Sequence, residues 1–78
     1  MPYRICQWTP EIEEHLAMHG VTVEEFEEVV GRPAYNTRCR KSGLPAAIGW
    51  VNGRKLFCVF RHVDETDIEP VTAFELED

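Results

Sequence analysis

The stretch Ala46-Ala47-Ile48-Gly49-Trp50-Val51-Asn52-Gly53-Arg54-Lys55-Leu56-Phe57-Cys58-Val59-Phe60-Arg61-His62-Val63 decides the fold. Asn-Gly accepts the positive φ angles of a type I′ turn, so two β runs flank a two-residue loop that pairs Val51 with Arg54. Leu56 to Phe60 is apolar at every position, which suits a central strand covered on both sides. Downstream, Asp64-Glu65-Thr66-Asp67 turns the chain into Ile68 to Leu76, and a four-residue loop there pairs Val63 with Ile68. Pro70 has no N–H to give a ladder and points to an edge or a bulge. Upstream, Tyr35 to Arg40 alternates like a strand with one solvated face, and Lys41-Ser42-Gly43-Leu44-Pro45 reads as a loop. In this register one sheet face carries Ile48, Trp50, Lys55, Phe57, Val59, Arg61, Thr72 and Phe74. The other carries Ala47, Gly49, Leu56, Cys58, Phe60, His62, Val71 and Ala73, a smaller and more uniformly apolar set expected to seat helices.

Those helices are legible before the sheet. Tyr3 to Trp8 favours β structure, and Thr9-Pro10-Glu11 then opens a helix with Thr as N-cap, Pro at the first helical position and an acid near the positive dipole end. Ile12 and Leu16 supply its buried stripe, and Gly20 stops it. Thr22-Val23-Glu24-Glu25 opens a second helix with a capping box, with Val21 and Phe26 at the positions of a hydrophobic staple. Phe26, Val29 and Val30 continue the apolar face until Gly31 and Pro33 end it. The expected fold class is α+β, in the order β-α-α-β-β-β-β, with two short helices packed on an antiparallel sheet.

A chain of 78 residues makes one domain spanning 1–78, near the size at which a single core becomes marginal, so a large internal cavity is not expected. With 44% hydrophobic residues it can fold, and no apolar run approaches the ~20 residues of a membrane span. Met1-Pro2-Tyr3-Arg4-Ile5 lacks the apolar core of a signal peptide, and three cysteines without framework spacing fit a reducing cytoplasm. The net charge of −6 hides a segregated distribution. Residues 11–28 hold seven acids and no Lys or Arg, residues 29–63 hold seven Lys or Arg and no acid, and residues 64–78 hold seven acids again. An acidic protein can therefore own a cationic surface.

His15 and His19 stand four apart on the first helix, but without the intervening Glu or a downstream ligand of a zinc motif, and no metal or other cofactor is expected. His19, next to Gly20, is placed to interact with the helix C-terminus. Cys58 lies in the most apolar strand and reads as a packed, inert thiol. Arg38, Arg40, Lys41, Arg54, Lys55, Arg61 and His62 form the set with chemical interest, because surface Lys and Arg grip phosphates and Tyr35 could stack on a base. The alternative for the same set is a solvated edge or a charge match to the acidic blocks. Arg61 and His62 could supply charge stabilisation and acid–base work in RNA cleavage, but successive strand residues face opposite ways, and Arg61 is preferred. Neither helix carries the side chains that read DNA bases.

Trp8, the run His19-Gly20-Val21-Thr22-Val23-Glu24-Glu25-Phe26-Glu27-Glu28-Val29, then Ala47-Ile48-Gly49, Gly53-Arg54-Lys55-Leu56 and Val71-Thr72-Ala73 together resemble the BrnT-type toxins of bacterial toxin–antitoxin operons. The resemblance implies a RelE-like fold in the order derived above. It also implies a ribonuclease-type inhibitor of translation that acts on RNA and is neutralised by a cognate antitoxin protein. Under it, Arg61, Arg38 and His19 are the catalytic candidates, and Arg40, Lys41, Arg54, Lys55 and Tyr35 the RNA-binding ones. The first helix carries Glu11, Glu13 and Glu14 where that family usually has Lys. This motivates a second expectation, a catalytically inactive protein-interaction module on the same fold.

Overall fold

A computed structural model describes residues 5–76 of the chain. Its elements are β1 (Ile5–Cys6), α1 (Pro10–Met18), α2 (Val23–Gly31), β2 (Tyr35–Arg38), β3 (Pro45–Val51), β4 (Arg54–His62) and β5 (Asp67–Glu75). They form one five-stranded sheet in the order β1-β5-β4-β3-β2, antiparallel except where β1 runs parallel to β5. The fold is α+β in the order the sequence predicts. The expected first strand is confined to Ile5–Cys6, and Tyr3 and Arg4 lie outside the described residues.

Each helix begins where its cap dictates. The Thr9 hydroxyl accepts from the Ile12 N–H (3.3 Å), with Pro10 at the first helical position. Thr22 and Glu25 complete a capping box, the Thr22 hydroxyl accepting from Glu25 N–H (3.1 Å) and the Glu25 carboxylate from Thr22 N–H (3.0 Å). Between the helices Gly20 takes φ +75°, a conformation side chains disfavour. Leu16, Val21, Phe26, Val29 and Val30 pack onto Ala47, Val51, Leu56, Cys58, Phe60, Ile68 and Ala73 of the sheet as one core. The helices thus cover the face that alternation assigned to them. At Gly49 the sheet comes so close to α2 that an added Cβ would stand 3.3 Å from Cγ1 of Val29.

The Asn52-Gly53 turn forms with φ of 54° and 74°, and Val51 pairs with Arg54 as expected. The second hairpin corrects the expected register in part. From Leu56 to Val59 the pairing follows it, but a bulge between Val59 and Phe60 then sets Phe60 against Pro70 and His62 against Ile68, not Val63 against Ile68. Two causes act together. The Asp64 carboxylate accepts from the N–H groups of Thr66 (2.9 Å) and Asp67 (2.8 Å), so the chain turns tightly enough for Val63 N–H to reach the Asp67 carbonyl. Pro70 cannot donate, and the ladder absorbs an extra residue beside it. Pro70 is therefore buried where Val71 was expected, and Val71 is half-buried. Thr72, expected on the opposite face, shares a hydrogen bond with His15 of α1 (3.0 Å).

β2 also ends earlier than expected. Cys39 N–H bonds the Leu44 carbonyl and Gly43 N–H the Cys39 carbonyl, closing residues 39–44 into a turn. All four β2 residues are exposed, because β2 is the sheet's edge.

Candidate functional site

The basic block divides into residues the fold has already matched to carboxylates and residues it has not. Arg54 leaves β4 at the corner where the hairpin meets the helical pair. Its Nη1 donates to both Glu25 carboxylate oxygens (3.0 and 3.2 Å), its Nε to Glu75 (3.2 Å) and its Nη2 to the Gly20 carbonyl (2.8 Å). Asn52 Nδ2 adds a bond to Glu25 (3.1 Å). Glu25 is 6% exposed, and hydrogen bonds from Thr22 N–H and Asn52, with the nearby Arg54 charge, hold its carboxyl below the ordinary value despite burial. Arg54 fastens the turn between the helices to the hairpin. Arg61 faces Glu69 across the ladder, with Nη2 3.5 Å from the carboxylate.

Arg38, Arg40 and Lys41 differ: among the described residues none of the three pairs with a carboxylate. Arg38 Nη1 donates only to the Gly43 carbonyl (3.1 Å), which braces the 39–44 turn. Together with Thr37 and Cys39 the three line a depression of about 430 Å³ whose floor is Ile48, Phe57 and Phe74. Phe57 and Phe74 are stacked cross-strand partners, with ring centroids 5.2 Å apart. Ala46 and Val59, of the same parity as Ile48 and Phe57, are buried, and beside them this face carries an apolar floor with a cationic rim. Further along it, Trp50 is half-exposed, Lys55 Nζ sits 5.4 Å from the Trp50 ring centroid, and Tyr35 meets the same ring edge-on at 6.3 Å.

Cys39 stands at the rim. Hydrogen bonds from Ser42, first its hydroxyl and then its N–H, and a further one from the Lys41 N–H, hold its thiol below the ordinary range, with the Lys41 charge adding to them. Cys58 is the opposite case, its thiol pushed up to about 12 chiefly by burial.

The structure thus gathers Arg38, Arg40 and Lys41, with Lys55 and Tyr35 flanking along the same sheet. It does not gather all the catalytic candidates. His19 caps α1 on the helix side, its ring edge-on to His15 at 5.0 Å, so the sheet stands between it and Arg61. His62 is exposed and lies edge-on to Phe60. A second hollow, of about 510 Å³, lies at the helical turn and is lined by Glu13, Glu14 and the segment Gly20 to Val23, a lining that repels anions. Among the described residues no three of His, Cys, Asp and Glu come together as metal ligands. None of the described helices is long and apolar enough to cross a membrane.

The apolar floor and Cys39 were missed as parts of a site. Alternation alone already put Phe57 and Phe74 side by side on the open face. The fold of residues 39–44 over them was not legible, because it depends on Cys39 bonding Leu44 and Arg38 bonding Gly43. No protein-family model, no curated protein and no solved structure matches the chain.

Proposed function

We propose that this chain is a BrnT/RelE-like toxin, a ribonuclease-type inhibitor of translation that grips single-stranded RNA on the open face of its sheet. The observation that carries the proposal is the trio Arg38, Arg40 and Lys41, without carboxylate partners among the described residues and set beside the Phe57–Phe74 stack. Unpaired cations bind backbone phosphates, and aromatic faces bind bases with little sequence preference. Tyr35, Trp50 and Lys55 extend that surface. The order β-α-α-β-β-β-β agrees with what the family resemblance implies.

On this reading Arg61 stabilises developing phosphate charge once RNA displaces its exposed partner Glu69. Inducible expression tests it: wild type arrests growth and cleaves cellular RNA, and Arg61→Ala relieves both. Unimpaired growth on wild-type expression would refute the proposal. A second reading, a catalytically inactive protein-interaction module, is favoured by one observation. His19 lies across the sheet from Arg38 and Arg61, which leaves the open face without a histidine from the helix layer.

A further inference from the structure

We infer that the depression on the open sheet face is a binding site for a small amphiphilic anion, a medium-length acyl chain ending in a carboxylate. The inference does not rest on RNA cleavage. Ile48, Phe57 and Phe74 stand in one row across β3, β4 and β5, each the Cα partner of the next. Neighbouring strands lie about 4.8 Å apart, so the row makes an apolar strip roughly 10 Å long that crosses the strands. Phe57 and Phe74 stack with 21° between their ring planes, which gives the strip a nearly continuous floor. Phe74 is 37% exposed and Ile48 and Phe57 are half-buried, so the strip keeps apolar surface in water.

Charge sets the head group and the direction in which the ligand lies. Arg38, Arg40 and Lys41 line the depression, which holds no acid, and none of the three has a carboxylate partner among the described residues. All three belong to the end of β2 and the turn after it, so the cations stand at the β3 end of the strip and Phe74 at the other. An extended chain of about eight carbons spans that distance. At about 430 Å³ the depression has the size of a small-molecule site, with few polar groups beside a hydrophobic floor. The floor side chains offer no hydrogen-bond donor or acceptor. A nucleobase stacked there finds no partner for its polar edge, whereas an acyl chain has no polar group to satisfy. With a net charge of −6 the molecule as a whole repels anions, so a preference for an anionic ligand identifies this site.

The test titrates decanoate into the intact, isotope-labelled chain and follows chemical shifts by NMR. Decanoate moves the resonances of Ile48, Phe57 and Phe74 and leaves the helix-covered core unchanged. Hexanoate binds at least about tenfold more weakly, because each methylene is worth up to about fourfold when buried. Decylammonium, which the net charge favours, leaves the strip unperturbed. Arg40→Glu with Lys41→Glu, which keeps Arg38 on Gly43, raises the decanoate Kd by about tenfold or more. Phe74→Thr, at an exposed strand position, raises it by about tenfold through the floor instead. No shift on the strip below the micelle concentration, equal shifts with decylammonium, or a Kd unmoved by both variants would each overturn the inference. A short oligouridylate keeps the RNA proposal separate. If it alone perturbs the open face, the acyl-anion inference fails and RNA binding stands; if decanoate alone does, the reverse holds. Where both bind, they displace one another at the shared cations, and simultaneous saturation by both would put decanoate elsewhere and overturn the inference.

Discussion

Replacing Glu25 probes the junction on which the helical pair and the hairpin depend. Its carboxylate, 6% exposed as a residue, accepts from Thr22 N–H, Asn52 and Arg54. In Glu25→Ala the Thr22 donor loses its cap partner, while Asn52 and Arg54, both open to solvent, are rehydrated. The loss at pH 7 is therefore less than the sum of the bonds, about 2–3 kcal/mol. For a domain of this size that lowers Tm by roughly 10–20 °C. Glu25→Gln keeps an oxygen for Thr22 and Asn52 and costs about 1 kcal/mol. Because the folded-state pKa lies below the ordinary 4.5, the charge contributes fully above that value. Its contribution disappears as pH falls through the depressed folded-state value. Wild type should lose stability on that acid limb, and Glu25→Gln should lose less. Guanidinium unfolding followed by tryptophan emission measures this, since Trp8 sits edge-on against Phe26 at 5.4 Å. A Glu25→Ala variant within about 0.5 kcal/mol of wild type at pH 7, or an unchanged acid limb in Glu25→Gln, would refute the reasoning.

Two further outcomes follow from the packing. Gly49→Ala puts a methyl 3.3 Å from Val29 Cγ1 and costs about 1–2 kcal/mol, and Gly49→Val costs more; thermal melts by circular dichroism check the order. In native protein an aromatic disulfide reagent labels Cys39 before Cys58, whose buried thiol reacts only on unfolding; mass spectrometry of timed digests reads the order, and early labelling of Cys58 would contradict the core described above.

Local chemistry made much of this fold legible. Thr9-Pro10, Thr22 with Glu25, and Asn52-Gly53 each fix backbone within a few residues, and all three act as their residue types require. Alternation found the helix-covered face because one parity of β3 and β4 is nearly all apolar. It failed beyond Phe60, where the missing N–H of Pro70 and the two bonds accepted by Asp64 jointly choose the register. For the site, charge segregation pointed to the basic block but not to its division. Arg54 belongs to Glu25 and Glu75 only because the hairpin and the helical turn meet in space, and no local pattern encodes that meeting. Tyr35, Arg40 and Lys41 stayed exposed as expected, whereas His19 was separated from Arg61 by the sheet itself.

The parallel pairing of β1 with β5 has a consequence in time. Ile5 and Cys6 align with Asp67 and Ile68, nearly the length of the chain away. During synthesis the first strand leaves the ribosome with no partner in existence, while the capped helices and the Asn-Gly hairpin can form as they emerge. β1 must wait, tethered to α1 through Thr9, until the last strand arrives, and ordering of Ile5–Cys6 marks the completion of folding.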